Sequence, residues 1–393
     1  MERVLITGGS HAEIPLINAI HELGFYVIST GLNTDGLGHL EADLYIPGDF
    51  SDYKFVTKIA KENQIVGIVS GCNDFAYLST SYACEELGLS GHDSFSISKI
   101  IHNKNQFRKV LKEQELPVPK FFECRDILKI ENSIKEYKFP VIVKPVDLTG
   151  GKGVCICNSL EEVINAFESA IDASRESYIL IEEFIKGNNH GFSGLIKSKK
   201  VVFSFFDNEE YYINKYLVSG AYSPSDLSDS EKTDIINQIN QIASKLNLND
   251  GLFHCQCIVT KDGKCYLIDP CRRSPGDLYI NLVKYSTGCD YPMAIVKSEL
   301  GLDMSDELNY IPKNRCIARE CIMTDKNGTI QSIDIDEEYK KHIIDIMKWG
   351  KPGDTIEDYY KYKAGIVFYE YPNKEILSKK MLCVHDNMTI NVK

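Results

Sequence analysis

Residues 139–156 read FPVIVKPVDLTGGKGVCI. An apolar strand carries Lys144, and a glycine-rich turn, Thr149-Gly150-Gly151-Lys152-Gly153, leads into the next strand. Glycines allow backbone N–H groups to approach a polyphosphate with no Cβ in the way. Lys144 offers a point charge to phosphate oxygens, and Lys152 a second one as the turn closes over them. The spacing is not the G-x₄-G-K-[ST] of a P-loop. Taken alone, the stretch fits a glycine hairpin between surface lysines equally well, so its neighbours have to decide.

Downstream, residues 178–187 read YILIEEFIKG, an apolar strand ending in two carboxylates. Glu182 and Glu183 can accept from an adenine amino group or ribose hydroxyls, and the backbone of Glu183 and Ile185 can read the base edge. Phe184 and Ile185 offer the ring an apolar platform. The plain alternative is an exposed acidic strand end. Residues 251–277 read GLFHCQCIVTKDGKCYLIDPCRRSPGD: two strands joined by a Lys-Asp-Gly turn, which sets Gln256 across from Asp269. Oxygen ligands on paired strands suit a Mg²⁺ ion bridging nucleotide phosphates, and an Arg just beyond suits a developing acyl-phosphate. As structure alone, it is a hairpin with a salt-bridged Arg pair.

Around these blocks the chain alternates strand and helix over residues 1–102, with RVLIT, FYVIST and IVGIVSG as strands. That alternation predicts a doubly wound parallel sheet. The first turn reads GGSHAE rather than G-x-G-x-x-G, which argues against a dinucleotide site. One amphipathic helix is predicted over 97–115, stopped by Pro117 and Pro119. A linking helix and small lid are expected at 103–186, a larger catalytic subdomain at 187–310, and a C-terminal subdomain at 311–393. Ser159, with Glu162 three residues on, marks the start of the lid helix.

The net charge of −12 disfavours nucleic acid or an anionic membrane as partner. No apolar run approaches the roughly 20 residues that span a bilayer, and Met1-Glu2-Arg3 leads directly into a strand rather than a signal peptide, so a cytoplasmic protein is expected. The thirteen cysteines are scattered. The pairs Cys155/Cys157 and Cys255/Cys257 lie on strands, sending both thiols of a pair to one face, and no paired C-x₂-C elements suggest zinc. Reduced, mostly buried thiols are expected.

In this order and spacing, the blocks resemble the ATP-grasp superfamily over essentially the whole chain. Lys104 and Phe107 followed by Pro117-Val118-Pro119 match its K-x-x-F…P-V-P pattern. The resemblance implies α/β and α+β architecture: an ATP-grasp fold with an N-terminal doubly wound parallel-sheet domain, a small lid and a larger catalytic subdomain. It implies phosphate contacts for Lys104 and Lys144, an adenine site along 182–185, and ATP with Mg²⁺ (or Mn²⁺) as cofactors. Three departures stand out. Gln256 replaces the usual Glu, Asp269-Pro270-Cys271-Arg272-Arg273 replaces Glu-x-Asn-x-Arg, and His190 holds the place of a ribose-side acid. Gln256 and Asp269 remain the implied metal ligands, with Cys271 a packing residue, and Arg273 the implied stabiliser of the acyl-phosphate.

The implied reaction joins a small carboxylate to an amine through an acyl-phosphate. Arg272, Arg319 and Tyr279 are candidate substrate contacts, joined by His11 and Asp74 at strand-to-helix turns; sheet packing and turn capping are the plain alternatives. A homodimer is compatible with this reading. A carboxylase using bicarbonate and a nucleotide-binding regulator without catalysis stay open as alternatives.

Overall fold

Strand Arg3–Thr7 is buried from Val4 onward and forms the centre of a four-stranded parallel sheet. Tyr26–Gly31 pairs with it on one side and Ile65–Ser70 on the other, and Leu44–Pro47 lies outside Tyr26–Gly31. Helix Ile14–Glu22 buries Leu16, Ile17, Ala19 and Ile20, the i, i+1, i+3, i+4 spacing of one helical face. Asn73 caps helix Asp74–Leu87 by accepting from the Phe75 N–H. The carboxyl ends of these strands therefore bring Gly8-Gly9-Ser10, Gly31 and Cys72-Asn73 to a common edge. The expected doubly wound sheet is present.

The computed structural model describes residues 1–148 and 151–393. Thr149 and Gly150 of the expected phosphate loop lie outside the described residues. The chain gathers into two compact units, each assembled from separate stretches: 1–92 with 205–226 and 273–393, and 93–204 with 227–272. The four consecutive segments expected from sequence divide the chain more finely and cut across this partition.

In the first unit, the later half of strand Lys200–Tyr211 continues through Val218–Ser223, Cys316–Ile322, Gly365–Tyr371 and Ile343–Lys348 as an antiparallel sheet. Ala318, Ile322, Val367, Tyr369 and Tyr371 join its core. In the second unit, Phe121–Cys124, Ile179–Glu183, Val141–Pro145 and Cys155–Cys157 form the small sheet, all antiparallel. Helix Leu160–Ala173 packs on it through Val163, Phe167 and Ala170. Ser159 caps this helix as expected, accepting from the Glu162 N–H, while the Glu162 carboxylate turns to the Asn158 N–H. The same unit holds hairpin Gly251–Val259/Cys265–Cys271 and its neighbour Asn188–Lys197, a strand that the glycines of HGFSGL had hidden from sequence reading.

One expectation is adjusted here and another holds. The single helix over 97–115 is two, Phe95–His102 and Lys104–Glu113, because Asn103 is extended and the Lys104 N–H donates to the Val146 carbonyl. All thirteen cysteines are free, and the Cys255 and Cys257 sulfurs lie 3.6 Å apart on one face, as the strand alternation required.

One carboxyl in the first unit is set against its surroundings. Glu320 is fully buried, and neither of its oxygens has a hydrogen-bond partner among the described residues. A Cβ on Gly220 would collide with this carboxyl, so only glycine leaves it room. His385 Nε2 stands 3.6 Å away, but burial holds that imidazole down to about 4, uncharged at neutral pH. Burial pushes the Glu320 carboxyl well above its usual range, against the pull of Arg319. A raised acid favours folding while protonated, so its contribution is complete below the ordinary carboxylate value of about 4.3 and declines as pH rises above it. Glu320→Gln is therefore expected to gain melting temperature over the parent as pH increases from about 4 to 8. Parallel melting curves across that range would refute the buried, unpaired carboxyl.

Candidate functional site

In the second unit, five charged side chains converge. Arg108, with no exposed surface, donates from Nε to Glu182 Oε1 at 2.5 Å and from Nη1 to the Ile268 carbonyl at 2.7 Å. Lys144 Nζ lies 2.7 Å from Glu182 Oε2, while Lys104 Nζ donates to the Leu148 carbonyl at 2.6 Å and stands 3.7 Å from Asp269 Oδ1. Lys104 and Arg108 are one helical turn apart, so both point from the same face of their helix. Burial alone would raise the Glu182 carboxyl, but Arg108 and Lys144 outweigh it and hold it at about 2. Asp269 is likewise held below its usual value: against burial stand Lys104, Lys144 and Arg108. Three cations face two carboxylates, which leaves one positive charge for an anion.

The hairpin register explains how Asp269 comes to face this cluster. Cys257 pairs with Leu267, yet Cys255 pairs with Pro270, so three steps on one strand match two on the other. This bulge inverts the alternation and turns Asp269 to the same face as Gln256. Asp269 Oδ1 is buried with no hydrogen-bond partner among the described residues. An unsatisfied carboxylate oxygen on the face that also carries Gln256 is a hard oxygen donor of the kind that could hold Mg²⁺. Among the described residues no three His, Cys, Asp or Glu side chains could hold an ion by themselves.

The turn beneath this cluster needs its glycines. Gly151 and Gly153 have φ of +71° and +68°, and a Cβ on Gly153 would come within 2.8 Å of Pro145. The Val154 N–H closes the turn on the Gly151 carbonyl, leaving Lys152 exposed.

Several expected roles change. Glu182 does not present a free carboxylate to a base or ribose, since both of its oxygens are taken by cations. The Glu183 N–H donates to the Lys120 carbonyl and its carboxylate accepts from the Lys120 N–H, so that N–H is unavailable to a base edge. Phe184 is 38% exposed and Ile185 half-buried. His190 pairs with Cys257 and so lies on the sheet face opposite Gln256 and Asp269, buried in a strand rather than a loop. Arg272 is a structural clamp: it is 3% exposed and donates to Asp93 Oδ2 and to the carbonyls of Asn249, Gly251 and Leu252. Tyr279 is buried with its hydroxyl donating to Asp207. At least four of the five Arg272 N–H groups, and the Tyr279 hydroxyl, are thus taken by the protein itself.

In the first unit, a cavity of about 290 Å³ opens at the carboxyl edge of the parallel sheet. Gly8, Gly9, His11, Asn33, Asn73 and Asp277 are among its walls. Ligands in open α/β sheets collect at this edge, where the crossovers diverge. Arg273 Nε donates to Asp74 Oδ1 at 2.9 Å, which brings two of the expected residues together. Asp277 gathers Lys363, Arg319 Nη1 at 3.7 Å and His11 Nε2 at 3.9 Å. Despite burial, Lys363, His11 and Arg319 hold its carboxyl far below the usual range. Arg319 is 2% exposed, and its buried Nε has no partner among the described residues.

Sequence reasoning missed Arg108, Asp277, Lys363 and Trp349, whose ring stacks on that of His11. The i, i+4 spacing from Lys104 could have found Arg108, and Asp277 stood at the end of the hairpin block. Nothing local marks Lys363 or Trp349. Replacing Arg108 with Met is expected to cost about 3–5 kcal/mol of stability by urea unfolding, because it removes one partner of a buried ion pair. A loss under about 1 kcal/mol would mean that Glu182 does not depend on it.

Residues 102–274 match the family model described as "Phosphoribosylglycinamide synthetase, ATP-grasp (A) domain". Over 139 residues, 34% of this chain, the sequence is 30% identical to the carbamoyl phosphate synthase large chain of Methanocorpusculum labreanum. That match covers 13% of the relative, so the chain spans a small part of its length. The L-amino acid ligase from Bacillus licheniformis has a TM-score of 0.84 at 20% identity, covering 100% of this chain and 99% of that one. Phosphoribosylglycinamide synthetase from Anaerococcus prevotii has a TM-score of 0.79 at 22% identity, with 100% of both chains covered. At these identities the likeness is one of fold.

Proposed function

We propose that this chain, whose fold is the ATP-grasp fold and whose residues 102–274 carry the ATP-grasp match, is an ATP-dependent ligase that couples a small carboxylate to an amine. One observation carries the reading: Asp269 Oδ1 is buried, ionised and without a hydrogen-bond partner, next to a cationic excess and on the face that carries Gln256. An acceptor left in that state calls for a cation, and the surplus positive charge calls for an anion. Mg-ATP is the ligand that brings both.

In this mechanism Lys104 and Lys144 neutralise phosphate oxygens, the 151–153 turn offers its backbone N–H groups, and Lys152 closes from the exposed side. Phe184 and Ile185 receive the base. Asp269 and Gln256 would hold Mg²⁺, which supplies charge neutralisation on the phosphates as the γ-phosphoryl group moves to the carboxylate. Arg273 follows Asp269 after three intervening residues and is the cation for the acyl-phosphate and the tetrahedral oxyanion. Asp74 holds the Arg273 guanidinium in place. Arg319 and Lys363, flanking the cavity through Asp277, give it the charge to receive a carboxylate. No side-chain nucleophile is required.

The direct test is phosphate release over a matrix of acids and amines, with the nucleotide product identified. ADP and an amide product are expected. AMP as product, or labelled bicarbonate entering the product, would replace this reading with adenylation or carboxylation.

Two substitutions probe the parts. Lys144→Met keeps the aliphatic stem and is expected to lower kcat/KM for ATP by about 100-fold or more, as loss of one preorganised charge does. Near-normal turnover would remove the phosphate site from this cluster. Gln256→Glu adds a charged ligand and is expected to lower the Mg²⁺ concentration needed for half-maximal turnover. An unchanged titration would place Gln256 outside the metal shell.

A further inference from the structure

An amine that attacks an acyl-phosphate must first lose a proton, because its ammonium form has no lone pair. The residues assigned above handle phosphate, metal and carboxylate charge, and none of them takes that proton. The cavity of the first unit holds two side chains that the reaction has not yet used in this way.

His11 lines the cavity and keeps 21% of its side chain accessible. Its ring stacks on Trp349, with centroids 4.1 Å apart and planes at 23°, which limits its rotation. The Nε2 edge is turned inward: that atom is buried, has no hydrogen-bond partner among the described residues, and lies 3.9 Å from Asp277 Oδ1. The Nδ1 edge is therefore the one that a ligand can meet. Asp277 is fixed from behind by Lys363 and by Arg319 Nη1, which also donates to the Asp277 carbonyl at 3.2 Å. Asp277 and Leu278 are consecutive non-glycine residues at φ of +55° and +54°. Such a conformation costs free energy, and here it sets the carboxylate opposite the imidazole.

We propose that His11 is the proton acceptor for the amine nucleophile, with Asp277 a positioning residue that holds the Nε2 edge and leaves the Nδ1 lone pair facing the cavity. This rests on the ligase reading. Asp277 itself is a poor base, since its cationic neighbours keep it ionised far below neutral pH. The His11–Asp277 separation is longer than a hydrogen bond, as often holds before substrate tightens such a pair. A carboxylate behind one nitrogen selects the tautomer and stabilises the imidazolium that forms.

One ammonium proton moves to Nδ1, and the released lone pair forms the C–N bond at the acyl carbon. The C–O bond to phosphate then breaks, its electron pair leaving with phosphate, which also carries away the second nitrogen proton. The imidazolium returns its proton to water.

Hydroxylamine provides the test, because it is uncharged at neutral pH and needs no base to trap an acyl-phosphate. The full chain is given ATP, Mg²⁺ and a pool of the twenty common amino acids with short dicarboxylic acids, and hydroxamate and amide products are counted by mass spectrometry. For His11→Gln, amide formation is expected to fall about 100-fold relative to hydroxamate formation, the scale of one general base. The deficit should shrink as pH rises and the free amine becomes abundant. Asp277→Asn should give a smaller deficit with the same pH trend.

Equal losses of amide and hydroxamate, or a deficit that ignores pH, would overturn the role of His11. Absence of hydroxamate from the parent protein would overturn the ligase reading instead.

Discussion

A single buried carboxylate, Glu182, organises the second unit. Taking it out of water is costly unless cations repay the lost hydration at close range. Arg108 and Lys144 do so, and in doing so they tie three elements together: the Lys104–Glu113 helix, the small sheet and, through the Ile268 carbonyl, the hairpin. The arrangement also sets the electrostatics of the cluster. With Glu182 occupied, Lys104 and Lys144 present their remaining charge towards Asp269 and to whatever anion arrives. A planar guanidinium reaches the carboxylate and a backbone carbonyl at once, which a lysine at 108 would not do with the same geometry.

The hairpin contributes through an irregularity. Regular alternation would have sent Asp269 to the face of Leu267, where His190 and Cys257 are buried. One extra residue re-aims it towards Gln256, and Pro270 beyond it ends the regular ladder. Gln256 in place of a carboxylate lowers the negative charge on that face of the hairpin.

The first unit works by the other common device, the open edge of a parallel sheet. Glycines at 8, 9 and 31 leave space there, and Asp277 enters it on a left-handed backbone held by Lys363 and Arg319. Arg319 and Glu320 are neighbours on one strand and point to opposite faces. The first is buried beside a carboxylate, the second without a cation partner in hydrogen-bonding range. Their contrasting states show how the alternation of a strand assigns two charges to two environments.

Much of this was legible in the chain itself. Apolar periodicity located the parallel sheet, the lid helix and the hairpin, and the glycine turn, the E-E-F-I strand end and the Asp269–Arg273 segment identified the ATP-grasp fold. These signals are local: a strand's alternation, a turn's need for positive φ and a cap three residues from its partner are all written in neighbouring positions.

What only the tertiary structure decided was the partner of each charge. Glu182 meets Arg108 across 74 positions, Arg272 spends its donors on Asp93 and distant carbonyls, and Asp277 meets Lys363 across 86. Burial decides whether an arginine is a clamp or a substrate contact, and a one-residue bulge decides which face a carboxylate takes. Both depend on packing between segments far apart in sequence, where composition and spacing carry no record of distance.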